Sequence, residues 1–230
     1  MDKLEAIKDV IDKNTIKLIK PQIDYQKIFI NYFDLGLRNG WELDKFIDFC
    51  NQYNIKYRVH GFEACKTLYD QLNLKYSLNK NIDIHHLAVA SIDNQLIKLY
   101  YANDPDGNSI FKTKNNLKNT ERSFELCNTI KLSTFIKNIQ KEDNTINIIK
   151  ANIEGAEYDV IKDLHNEKQL NYFDYYIGAG WTTDMNYITE LKSKVQEIKS
   201  ILIENNIKTY YFARGWNQFN NINFNDLIHS

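Results

Sequence analysis

The chain has 230 residues, 43% of them hydrophobic, and its charges nearly cancel to a net −1. That length supports one domain with a sizeable core, and the balance excludes both a disordered chain and a strongly basic nucleic-acid binder. Two prolines, eight glycines and three cysteines without metal-like spacing leave no linker, repeat or metal cluster to read, and fit reduced thiols in a cytoplasmic protein.

In chain order, Leu4, Ile7, Val10 and Ile11 recur at helical spacing, so residues 1–27 read as an amphipathic leader ahead of a single domain over 28–230. Such a leader can cap one end of a sheet or form a homodimer seam, and capping is the expectation. The N-terminus has no apolar signal region, and no run approaches the roughly 18 apolar residues of a membrane span. Residues 28–33 read as the first core strand, and 41–51 as a helix with Leu43, Phe46, Ile47 and Cys50 on one face. A second strand (56–62) and helix (66–74) follow. Residues 84–90 and 96–102 read as strands across the turn Asp93-Asn94, and a polar loop runs from 103 to about 122. A short helix (134–140), a strand (146–151), a helix (157–164), a strand (173–178) and a long helix (185–205) come next. Residues 208–213 and 218–224 form an expected hairpin. Alternating strands and helices define an α/β fold: a doubly wound, mostly parallel sheet with an antiparallel C-terminal hairpin.

In such sheets ligands sit beyond the carboxyl ends of the strands, and three segments there carry glycine and acid. Asp34-Leu35-Gly36-Leu37-Arg38-Asn39-Gly40 is a strand–turn–helix junction where backbone can approach a ligand. It lacks the further glycines that seat a pyrophosphate, which favours a cofactor without phosphates, such as S-adenosylmethionine, over a dinucleotide. Glu63 ends the second strand, near the roughly 20-residue offset at which an acid accepts bonds from both ribose hydroxyls. Lys150-Ala151-Asn152-Ile153-Glu154-Gly155-Ala156-Glu157 clusters polar groups at a third strand end. There a carboxylate can hold an acceptor hydroxyl and take its proton, and Glu154 is the expected group. Glu157 suits either stabilising a helix N-terminus, where a negative charge is favourable, or a catalytic role, and the first is the expectation. The histidines form no ligand pattern, so no metal site is expected. Trp181 and Trp216, each beside glycine in a loop, suit either the wall of a sugar pocket or a packed loop anchor.

Taken together, Asp34-x-Gly36-x-x-x-Gly40, Gly61-Phe62-Glu63, Ala88-Val89-Ala90-Ser91 and Lys150-x-Asn152-x-Glu154-Gly155-x-Glu157 resemble the FkbM-type S-adenosylmethionine-dependent methyltransferases. The resemblance implies a class I, Rossmann-like fold and methylation of a hydroxyl on a saccharide, nucleotide-linked sugar or natural product. It implies a cofactor site of Asp34, Gly36, Arg38, Gly40, Glu63, Ala64 and Ala90, with Gly36 and Gly40 flanking the methionine moiety. Glu63 would lie at the ribose, and Ala64 and the 88–91 strand end near the adenine. Lys150, Asn152 and Glu154 would form the catalytic rim. Two departures stand out. Asn152 replaces the family's usual aspartate, and Gly178-Ala179-Gly180-Trp181-Thr182-Thr183 replaces a segment that commonly carries an acid and a histidine. Both point to a rebuilt acceptor site. For a nucleotide-linked acceptor, Arg38, Lys150 and Arg214 are the cations available to a pyrophosphate. Two alternatives remain open: a catalytically degenerate protein of the same fold, and an NAD-dependent oxidoreductase, which the turn after the first strand disfavours.

Overall fold

The structure is a computed structural model describing residues 29–52, 54–102, 107–113, 123–139, 145–179, 191 and 194–212. The leader, Trp181, Arg214, Trp216, residues 103–106 and the second strand of the expected hairpin (218–224) lie outside these residues.

The first strand, β1 (Phe29–Leu35), is almost entirely buried, as a central strand covered on both faces must be. It pairs in parallel with β2 (Lys56–Phe62) on one side and with β7 (Thr145–Ala151) on the other. Helix α1 (Trp41–Gln52) connects β1 to β2, and α2 (Lys66–Tyr76) connects β2 to β3 (Ile82–His85). Beyond β7, helix α4 (Glu157–Asn166) leads to β8 (Tyr175–Ala179), and α5 (Val195–Glu204) leads to β9 (Lys208–Phe212). The sheet order is β3-β2-β1-β7-β8-β9, and every pairing in it is parallel.

Strand alternation sorts the core into two layers. Ile30, Tyr32, Val59 and Ile148 face α1 and α2, with Leu43, Phe46, Phe49 and Leu72 packed against them. Phe33, Leu35, Phe62, Ile149 and Ala151 face the other way, onto α4, α5 and the short helix α3 (Leu132–Ile136). Helices on both faces of a parallel sheet are the doubly wound α/β architecture the strand–helix alternation predicts.

The structure departs from the sequence reading in several places, among them the long helix expected over 185–205, whose described helical part is α5, Val195–Glu204. The strand expected over 84–90 is broken. β3 ends at His85, and Ala88–Val89 (β4) leaves the main sheet to pair with β6 (Phe124–Ile130), a strand that periodicity did not reveal. His86 marks the break: its Nε2 lies 3.1 Å from the Ala64 carbonyl and its ring stacks on Tyr69. With β5 (Leu96–Tyr100) antiparallel to β6, these strands form a separate sheet in the order β4-β6-β5. That sheet holds the described antiparallel pairing, whereas β9 adds to the main sheet in parallel with β8. The short helix begins two residues before its expected start, at Leu132, because Asp93 receives both the Lys131 amide and the Thr134 hydroxyl there.

Candidate functional site

The sheet order reverses between β1 and β7, so the loops leaving these two strands diverge and open a crevice at their carboxyl ends. A cleft enclosing about 660 Å³ of space, part of it open solvent, lies there. Gly36 and Arg38 after β1, Glu63 and Ala64 after β2, and Asn152, Ile153 and Glu154 after β7 line it. Leu87, Ala88, Val89 and Leu99 supply an apolar wall, with Leu68 of α2 beside them, and Asn108, Ser109 and Ile110 close the remaining side.

The turn after β1 is tied to both neighbouring strands. The Gly36 and Leu37 amides donate to the Phe62 carbonyl at 2.9 and 3.2 Å, and the Asn152 amide donates to the Leu35 carbonyl at 2.9 Å. Gly36 has φ +83°, and a Cβ there would come within 2.4 Å of the Asn152 carbonyl oxygen. Only glycine meets both conditions.

Lys150 lies beneath this turn, not in the cleft. It is the register partner of Asp34 across β1 and β7, on the face covered by α1. Its ammonium lies 2.8 Å from Asp34 Oδ1 and 2.6 Å from Glu42 Oε2, and donates to the Gly36 carbonyl at 2.9 Å. Three oxygens thus match its three protons. Burial pulls the Lys150 pKa down, but Asp34 and Glu42 outweigh it and hold the ammonium above its ordinary value. Burial pushes Asp34 up to about 6, against the pull of Lys150 and with the help of Glu42. A lysine so engaged has no proton to offer an acceptor. The geometry makes it the support of the turn.

Glu63 is 7% exposed, and its two oxygens accept the Arg38 and Cys65 amides at 2.8 Å each. Burial raises its pKa to about 7, and these two donors hold it from rising further. Arg38 adopts φ +58°, a left-handed conformation costly for a residue with a Cβ, and the bond from its amide to Glu63 is one of the contacts that fixes it.

The turn after β7 is organised by Glu157. Fully buried at the start of α4, its carboxylate accepts the Ile153 and Gly155 amides at 2.7 Å each. Burial raises its pKa, its own amide and those two donors lower it, and neighbouring Glu154 raises it. Glu157 therefore closes the turn ahead of α4, a contact the sequence reading, which placed it at a helix N-terminus, did not include. Glu154, on the cleft wall, has φ +54° and is 6% exposed. Its carbonyl accepts the Ser109 hydroxyl at 2.9 Å.

Of the residues expected at the site, the fold brings Gly36, Arg38, Glu63, Ala64, Asn152 and Glu154 to one cleft. Asp34 and Lys150 lie one layer below it. Gly40 packs under α2, where the Tyr76 hydroxyl donates to its carbonyl at 2.8 Å, and Ala90 is buried, its amide bound to the Ile130 carbonyl at 3.0 Å. Sequence reasoning placed Ala88 and Val89 of that wall at the expected adenine end and Asn108 in a loop able to close over an acceptor, but missed Leu68, Leu87, Leu99, Ser109 and Ile110. The turn signal at 104–108 marked a loop near the site, but nothing local shows that the next residue reaches across to Glu154. Among the described residues, no group of three or more His, Cys, Asp or Glu side chains is placed to hold a metal ion, and no helix is long and apolar enough to cross a membrane.

A doubly wound parallel sheet with a glycine turn, a buried acid and a polar third loop at its switch point defines a Rossmann-like α/β domain. Residues 34–206 match the Methyltransferase FkbM domain, and the chain belongs to that family. Among curated proteins none matches it. The crystal structure of methyltransferase FkbM from Methylobacillus flagellatus KT is similar at 13% identity and a TM-score of 0.44, covering 86% of this chain and 49% of that one. The transcriptional regulator Gal80p from Kluyveromyces lactis is similar at 13% identity and a TM-score of 0.40, covering 86% and 36%. The chain thus spans about half the length of the first structure and little over a third of the second.

Proposed function

We propose that the cleft binds S-adenosylmethionine and that the protein methylates a hydroxyl group of a saccharide or nucleotide-linked sugar. The observation that carries the cofactor is Glu63: a buried carboxylate lining the cleft at the end of β2, beside the Gly36 turn. Each of its oxygens accepts one backbone amide and keeps a lone pair for a ribose hydroxyl. Leu68, Leu87, Val89 and Leu99 offer the apolar slot an adenine ring needs. Leu37, 2% exposed, fills the turn where a dinucleotide fold places phosphates, which argues against NAD.

When bound, the cofactor supplies an electrophilic methyl group on a sulfonium centre. The rest is positioning by the chain's own residues. An acceptor hydroxyl at the β7 end of the cleft would meet Asn152, which can orient it, and Glu154, which can take its proton as the oxygen bonds the methyl carbon and the carbon–sulfur bond breaks, leaving a neutral thioether. Asn152 has no basicity near neutral pH, so proton removal falls to Glu154. The sugar acceptor rests on the family resemblance.

Calorimetric titration of the protein with S-adenosylhomocysteine, with NAD as control, tests the reading. Micromolar binding of the first alone is expected. Binding of neither removes the cofactor assignment and leaves a degenerate protein of this fold.

A further inference from the structure

Glu154 occupies a left-handed backbone conformation, which persists only where surrounding contacts over-determine it. Three anchors do so, each from a different part of the molecule. The Asn152 amide is bound to the Leu35 carbonyl of β1, and Glu157 of α4 holds the Ile153 and Gly155 amides. The third is Ser109, from outside the main sheet.

Ser109 is 1% exposed. Its backbone exchanges two hydrogen bonds with Tyr100, at 2.8 and 3.0 Å, so it belongs to the small second sheet. Its hydroxyl donates to the Glu154 carbonyl at 2.9 Å and accepts the Phe111 amide at 3.1 Å. One side chain thus joins the segment carrying Asn108 and Ile110 into the cleft to the turn carrying Asn152 and Glu154. Alanine in its place leaves the Glu154 carbonyl without this donor and the Phe111 amide without this acceptor, a costly loss for backbone groups withdrawn from water.

We propose that Ser109 is a positioning residue for Glu154: its hydroxyl ties the segment carrying Asn108 and Ile110 to the strained turn after β7, so that two adjoining walls of the cleft order as one unit. The proposal rests on the reading of this cleft as the cofactor and acceptor site, and its test separates the two.

Hydrogen exchange on the full chain, read by mass spectrometry with and without S-adenosylhomocysteine, compares wild type with Ser109→Ala and Ser109→Cys. In Ser109→Ala, exchange is expected to rise about tenfold not only at Phe111 but also at Ile153 and Gly155, whose amides Ser109 does not touch. Amides of β1 and α4 keep their protection. Cysteine, similar in shape but a weaker donor, gives an intermediate rise. Faster exchange at Phe111 with Ile153 and Gly155 unchanged overturns the proposal, because the hydroxyl is then a local contact. Should the alanine variant lose protection throughout β1, the cysteine variant decides by the same criterion. If S-adenosylhomocysteine slows exchange nowhere in wild type, the cofactor reading fails, and the unliganded comparison still decides the role of Ser109.

Discussion

Replacing Lys150 with methionine probes the support of the Gly36 turn. Methionine fills much of the lysine stem's volume but offers no proton, so Asp34 Oδ1, Glu42 Oε2 and the Gly36 carbonyl lose partners at 2.8, 2.6 and 2.9 Å. Breaking a buried charge pair by removing one member costs about 3–5 kcal/mol. The lower end applies here, because the two acids can relieve themselves differently. The Glu42 side chain is 12% exposed and can regain water, whereas Asp34, at 1%, can escape only by taking up a proton.

That escape gives the variant a pH signature. Even beside Lys150, burial holds Asp34 at about 6 in the folded protein, above its ordinary value of 3.8. An acid raised on folding binds its proton more tightly in the native state, so stability falls as pH rises from the unfolded value through the folded one. Without Lys150 the folded value climbs further, and the falling window extends past neutrality. Urea unfolding should therefore show a loss of about 3 kcal/mol at pH 8 and a clearly smaller one at pH 5, where Asp34 is largely protonated in both proteins. Asp34→Asn in the Lys150→Met background should recover part of the loss. A change below about 1 kcal/mol at pH 8, the scale of a surface pair, or equal losses at both pH values, would refute the reasoning.

Four further outcomes follow from the geometry. Glu63→Gln should weaken S-adenosylhomocysteine binding about 10- to 100-fold; wild-type affinity should also fall as pH drops below about 7, where Glu63 takes up its proton, and the variant should show no such break in calorimetry. Glu157→Ala should lower unfolding stability by about 2–4 kcal/mol, since two amides in a buried turn lose their acceptor; Glu154→Gln should leave stability nearly unchanged and depress turnover, and equal stability losses would reverse these roles. Gly36→Ala, with φ +83° and a Cβ 2.4 Å from the Asn152 carbonyl oxygen, should cost about 3 kcal/mol or more in thermal unfolding. Finally, burial among Phe33, His85 and Phe135 lowers His60 to about 4, so the native state resists its protonation and stability is lost as pH falls from about 6.5 towards 4. His60→Phe should recover up to about 3 kcal/mol of this acid loss; an unchanged acid limb in urea unfolding would place the proton uptake elsewhere.

Much of the main sheet and half of the site are legible in the chain because their signals are local. β1, β2, β7, α1, α2 and α4 announce themselves through runs of buried residues and helical spacing, and a parallel sheet leaves its loops at one edge whatever the sequence between them. Gly36 and Glu63 could thus be placed at a common edge without coordinates. β6 could not be seen. Phe124-Glu125-Leu126-Cys127-Asn128-Thr129-Ile130 alternates only weakly, and its strand character comes from pairing with β4 and β5.

Lys150 shows the limit most sharply. Next to Asn152 and Glu154 in sequence, it looks like part of a reactive rim. Yet side chains alternate along a strand, and the residue opposite Asp34 on the α1 face is turned away from the cleft and into the sheet–helix layer. Ser109 makes the converse point, since only the folding of the second sheet against the first brings its hydroxyl to Glu154. Sequence by itself determined the strand–helix alternation, the family and the placing of Gly36 and Glu63 at strand ends. Each depends on a few residues close along the chain. The tertiary structure decided which polar groups face ligand and which support the loops, because that follows from pairing register and burial between segments distant in sequence.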